Sequence, residues 1–349
     1  MAARTPAEIL RFDVALEALT SEDVRALVSQ TIDADPSAED WAEVVARETE
    51  GNPFFVKELA RFLRDRPASA ADFAQASSNH SLEDMILERV GRLPPGARRL
   101  LEVVALAGVP ISRRAAFLAS SLGPEAHASL AALRTSRLLQ TRGPGAFDLL
   151  SGYHDRISET IVRSLGAAER LPRHRAIAQA LDALDDCDPE VLAYHHREAG
   201  DVARAAVHAV RAAKQAVSSL AFDRAVRLYR VALELGSFAD AEREELEVAL
   251  GDSLANAGHG KQAADVYLAL AARARRETAI EMQRRAGEQL MRSGHVDEGF
   301  DLIESVLRAH GVRLPSTPGA TLSRSLFVAL SSVCAATASR PATRPSCRP

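Results

Sequence analysis

A short pattern recurs through the second half of the chain and limits what it can fold into. Gly200-Asp201-Val202-Ala203-Arg204-Ala205 precedes one apolar-periodic run, and Ala221-Phe222-Asp223-Arg224-Ala225 opens another. Gly258-His259-Gly260-Lys261-Gln262-Ala263 and Gly294-His295-Val296-Asp297-Glu298-Gly299 repeat the glycine turn. The small residues Ala225, Ala263 and Gly299 recur at spacings of 38 and 36. Each is followed by apolar positions at helical spacing: Leu228 and Ala232, Val266 and Leu270, Leu302 and Val306. A small residue lets two helices approach closely. Helix pairs of this kind bury their faces by stacking on one another. The pattern predicts a mainly all-α chain with an α-solenoid over 166–315, whose concave face suits a protein partner. A plain helical bundle is the alternative. With only 5% aromatics and abundant Ala and Leu, helices packed through small residues are favoured over a β-sandwich.

These repeats resemble tetratricopeptide repeats, helix pairs with a period near 34. The first half is organised around Glu50-Gly51-Asn52-Pro53-Phe54-Phe55-Val56-Lys57-Glu58-Leu59. Ser37-Ala38-Glu39-Asp40 reads as a capping box for a helix through Trp41, Val44, Val45 and Ala46, which Gly51-Asn52-Pro53 ends. Pro53 then stands at the first position of the next helix, where its missing N–H is tolerated. Phe54, Phe55, Leu59, Phe62 and Leu63 follow at helical spacing. Upstream, residues 8–19 read as a short strand or extended segment. Thr20-Ser21-Glu22-Asp23 is a second capping box, leading a helix with Val24, Leu27, Val28 and Ile32 on one face.

Residues 66–80 read as a loop. Ser81-Leu82-Glu83-Asp84 caps a helix with Met85, Ile86, Leu87 and Val90 facing inward. Further helices are predicted over 97–107, 113–122 and 124–136. Residues 137–142 and 146–150 flank a Gly-Pro-Gly turn and read as a hairpin. Three helices and a hairpin make a winged helix over 81–165. Its presumed recognition helix, 125–135, has one arginine and several alanines, which argues against DNA contact. Past the hairpin comes Ser151-Gly152-Tyr153-His154-Asp155-Arg156-Ile157, with Asp155 the expected helix N-cap. A histidine at a helix start can give an N–H to an anion, with help from the helix dipole. A satisfied surface histidine is the alternative.

Thr49 to Leu59 closely resembles the Gly-x-Pro segment of the signal-transduction ATPases with numerous domains, AAA-related and NB-ARC-like regulatory proteins. Leu16 to Asp23 fits the family's Leu-x-x-Leu-(Ser/Thr)-x-x-(Asp/Glu) entry to its lid. Residues 151–157 resemble the Met-His-Asp motif that closes its winged helix. The resemblance implies that Pro53 packs against the adenine of ATP or ADP. Gly51 would allow close backbone approach, and His154 would contact the β-phosphate. It also implies domains: a remnant of the nucleotide-binding core over 1–19, a helical lid over 20–80, the winged helix, then the repeats. A departure matters here. The family's Gly-x-x-x-x-Gly-Lys-(Ser/Thr) loop and acidic metal-binding strand are absent from this sequence, and Gly260-Lys261 is followed by Gln262. Without that loop nothing nests the phosphates, so the chain should not hydrolyse ATP alone. Nucleotide binding by this chain is expected to be weak or absent.

The expected function is therefore the regulatory part of such an ATPase, coupling partner sensing by the repeats to an ATP/ADP switch. Its partners would be a protein bound by the repeats and a separate ATPase core or Ser/Thr kinase domain. A pure protein-interaction module with no nucleotide role is the alternative. No nucleophile–base pair or acid pair stands out, so catalytic residues are expected to be none. A net charge of −4 and pI near 6.2 give no reason to expect nucleic acid. Three cysteines make no disulfide framework or metal spacing, which fits a cytoplasmic setting. Adjacent His195 and His196 point about 100° apart on a helix and converge poorly on a metal. No apolar run approaches the ~20 residues that span a bilayer. From Ala320 to Pro349 there is no Asp, Glu or Lys. Residues 316–349 are expected to be a disordered tail, of a composition that out-of-frame translation would give.

Overall fold

The computed structural model describes residues 17–32, 38–64, 82–143, 148–184, 187–309 and 311–312. The expectations for 8–16, Ser37, 66–80, Ser81, the hairpin tip and the tail lie outside these residues. Within them the chain is helical, as predicted, with one small sheet. Its packing divides it into two compact units. The first holds residues up to 187 together with 198–200, and the second holds 188–197 and everything from 201 onward.

The first unit opens with α1 (Ser21–Thr31), α2 (Ala38–Thr49) and α3 (Pro53–Arg64). Thr20 closes the predicted capping box: its hydroxyl accepts from the Asp23 N–H at 3.2 Å, and its own N–H donates to the Asp23 carboxylate at 3.3 Å. The three helices pack mutually around Val24, Val28, Val45, Phe55, Leu59 and Leu63. Phe54 and Phe62 are only half-buried, and Val56 and Ala60 complete the inner face of α3.

The winged helix follows as α4 (Leu82–Gly91), α5 (Pro95–Ala107), β1 (Ile111–Ser112), α6 (Arg113–Ala119), α7 (Ala126–Thr135), β2 (Leu139–Arg142) and β3 (Leu149–Gly152). The strands run antiparallel in the order β1-β3-β2, with Ile111 opposite Leu150 and Gln140 opposite Ser151. β1, two residues long, carries too little pattern to be seen in the sequence. One expected core residue is corrected: Leu87 is 37% exposed. Leu82, Met85, Ile86 and Val90 form the buried stripe of α4, and Leu87 lies one residue, about 100°, off it. α6 stops at Ala119 rather than 122, because Ser121 turns into the left-handed region at φ +50°. After α8 (Asp155–Ser164), α9 (Ala167–Asp182) packs on α5 and α6. Arg173 Nε donates to the buried Glu102 carboxylate of α5 at 2.8 Å. α9 falls within the span expected to form the repeats. Its partners are α5 and α6, and it belongs to the first compact unit.

The second unit comprises α10 (Pro189–Glu198), α11 (Val202–Ser218), α12 (Phe222–Leu235), α13 (Asp240–Asn256), α14 (Gly260–Ala271), α15 (Arg276–Arg292) and α16 (Val296–Ala309). From α11 onward each helix packs on the next. Ala225 and Ala263 are fully buried at these seams. At the last seam a Cβ on Gly299 would stand 2.9 Å from the Gly287 carbonyl oxygen. Side chains about one repeat apart join successive turns: His259 to Asp223 at 3.0 Å and Lys261 to Glu298 at 3.3 Å. Leu220 stands out. It sits at φ +58° and 74% exposed, at the turn where the later pairs use Gly258 and Gly294 at φ +83° and +89°. Among the described residues no helix is long and apolar enough to cross a membrane.

Candidate functional site

All three expected nucleotide-facing residues lie in the first unit, and the structure brings their neighbourhoods together at one corner. Its floor is the turn between α2 and α3. Glu50 and Gly51 take φ values of +50° and +73°, which ends α2 and swings the chain round. Gly51 is required here for a reason internal to the chain. A Cβ at that position would lie 2.5 Å from the Leu19 carbonyl oxygen, and the Leu19 N–H donates to the Gly51 carbonyl at 2.9 Å. The close backbone approach is therefore that of residue 19. Pro53 follows as the first residue of α3, and it is exposed.

Asn52 caps α3, its side-chain oxygen accepting from the Phe54 N–H at 3.0 Å. Across the corner His154 caps α8. Its backbone is extended (φ −147°, ψ 145°), and its Nδ1 faces the Arg156 N–H at 3.4 Å. This corrects the expected cap: Asp155 is the first helical residue, its carboxylate lying beside the positive end of the helix dipole. The two caps are joined to each other, Asn52 Nδ2 to His154 Nε2 at 2.9 Å. Aromatic rings back the joint. Phe55 meets the His154 ring edge-on at 4.6 Å, and Phe54 lies 5.0 Å from Tyr153. Arg156 reaches back to the Glu50 carboxylate at 3.0 Å. Beyond the corner, Arg89 of α4 pairs with Glu58 of α3 and also donates to the Ser136 carbonyl at 2.6 Å.

The positive ends of two helices therefore meet at one place, with an imidazole, a guanidinium and an exposed proline around it. Converging N–H groups and helix dipoles favour an anion, and the Glu50 carboxylate already supplies one on Arg156.

No protein-family model matches the chain, and no curated protein sequence matches it. Among solved structures, the chain is similar to a signal transduction ATPase with numerous domains (STAND) protein with a tetratricopeptide repeat sensor from Pyrococcus horikoshii. The two are 12% identical, with a TM-score of 0.29. The match covers 84% of this chain, which spans about half of that protein, 51%. A likeness so loose assigns neither a ligand nor an activity.

Sequence reasoning missed Asn52, Glu50, Phe55 and Arg156 as members of the corner. An Asn directly before Pro-Phe-Phe is a helix-cap signal and could have marked the first of them. His195 and His196 lie buried in the second unit. His196 stacks on His208 with ring centroids 5.2 Å apart and planes 6° apart. The helix in the recognition position, α7, exposes His127, Ala128, Ala131 and Arg134.

Proposed function

We propose that this chain is the lid, winged helix and sensor scaffold of a nucleotide-switched regulatory protein whose phosphate-binding core is supplied elsewhere. The observation that carries this reading is the Asn52–His154 joint, which ties the Gly-x-Pro corner to the histidine behind the wing. The residues present fit a nucleoside diphosphate in kind. His154, Arg156 and the two helix N-termini would face the phosphates, and the exposed Pro53 ring offers a flat apolar surface for a purine. The stacked pairs from α11 to α16 would engage a protein partner, as solenoids of this kind do. α7 carries too little positive charge on its exposed face to seat a phosphate backbone.

Titrating ADP into the full-length protein and following the His154 ring signals by NMR tests the reading. We expect saturable shifts in the millimolar range, weakened in Pro53→Ala and abolished at the corner in His154→Gln. Unchanged His154 signals at millimolar ADP would leave only the scaffold.

A further inference from the structure

The hydrogen bonds around His154 cannot all be satisfied by one imidazole. The Asn52 amide has its orientation fixed, because its oxygen accepts from the Phe54 N–H at 3.0 Å. A flipped amide would set two N–H groups against each other there. Its nitrogen, a donor only, therefore faces His154 Nε2 at 2.9 Å. On the other side of the ring the Arg156 N–H, also a donor, faces Nδ1 at 3.4 Å. A neutral imidazole has one nitrogen lone pair to offer and one N–H. Two donors thus compete for one acceptor. The shorter contact wins: Nε2 accepts from Asn52, the ring proton sits on Nδ1, and the cap bond to Arg156 is forgone.

We infer that Asn52 acts as a tautomer lock, holding His154 in the form that cannot donate a hydrogen bond from Nε2. A phosphate oxygen only accepts, so it needs Nε2–H. Removing Asn52 lets the ring give up the Nδ1 proton to solvent and take one at Nε2, with no change in charge. The freed lone pair on Nδ1 then accepts from Arg156 and restores the cap of α8. A phosphate-bearing ligand must displace the Asn52 amide and switch the tautomer together. This regulatory step rests on the nucleotide reading above, but the lock itself belongs to the chain.

Long-range proton–nitrogen NMR of the full-length protein reads the two ring nitrogens directly. His154→Gln identifies the signals of that ring among the ten histidines. The wild type should show Nδ1–H, and Asn52→Ala should show Nε2–H. Asn52→Asp keeps a good helix cap and presents only acceptors, so it should also show a proton on Nε2 even if Asn52→Ala unfolds. A wild-type ring already in the Nε2–H form, or a ring that stays Nδ1–H in Asn52→Asp, overturns the lock. ADP supplies the second arm. Asn52→Ala should tighten ADP binding about fivefold to tenfold, the worth of one competing hydrogen bond. If the tautomer switches as expected while ADP binds neither protein, the lock stands and the nucleotide reading falls.

Discussion

At the scale of single residues, two backbone positions make opposite predictions. Gly51 combines φ +73° with no room for a Cβ beneath Leu19. Gly51→Ala should lower stability by about 3 kcal/mol, adding left-handed strain to a backbone clash. The lone tryptophan, Trp41, is buried in the same helical layer and reports this in a urea titration. Leu220 is the reverse case, a bulky side chain at φ +58° that is mostly in water. Leu220→Gly should raise the stability of the repeats by about 0.5 kcal/mol, the strain relieved less the entropy that glycine adds to the unfolded chain. Thermal melts followed by circular dichroism measure it. Gly51 and Pro53 were legible in the sequence because breakers act on their own backbone. The Asn52–His154 bond was not, since its partners are 102 residues apart and only the packed unit brings them together. The cap of α8 was misplaced by one residue for a similar reason. Both His154 and Asp155 can cap in principle, and the choice depends on which enters the helix extended.

Among the elements, the α13–α14–α15 layer couples charge to packing. Tyr267 of α14 lies over Gly251 of α13, where a Cβ would stand 2.4 Å from its ring. Its hydroxyl donates to Asp252 at 2.6 Å, and Arg285 of α15 meets the same carboxylate at 3.0 Å. Burial first, then that carboxylate, pushes the phenol well above its usual range. Arg285 is held in turn by Glu281, at 2.9 Å. Hydrogen bonds from Arg284 and Arg285 pull the Glu281 carboxyl from 4.5 down to about 2. Because the folded state binds this proton more weakly, its contribution is complete above pH 4.5 and is lost as pH falls toward 2. Glu281→Gln should flatten the pH dependence of unfolding across that window and leave it unchanged near neutrality. Urea titrations at a series of acidic pH values check this. α14 was readable from its glycine turn and the spacing of Ala263, Val266 and Leu270. The network was not, because it joins three helices through long side chains.

For the molecule as a whole, two cores imply two unfolding events. Apart from Ala199, the described buried hydrophobic residues of the first unit all precede 187, whereas the repeat cluster runs from Ala212 to Leu290. Ala225→Leu would wedge a branched side chain into a fully buried seam and cost the repeats about 1–3 kcal/mol. Trp41 fluorescence should keep its midpoint, while circular dichroism, dominated by all the helices together, acquires an earlier transition. Coincident shifts in both probes would argue for a single cooperative unit. The repeat pattern marks the helices of the second core, but it does not show which core α9 packs on. α9 carries Pro172 inside it, and its Arg173–Glu102 pair and its packing on α5 and α6 reveal which core it serves.

The meeting of the two caps has a consequence for how lid and wing part company. Asn52 terminates α3 and at the same time fastens His154, so both of those bonds stand or fall with a single amide. Letting go of that amide therefore trades one bond for another, because the imidazole can turn its lone pair back onto its own helix.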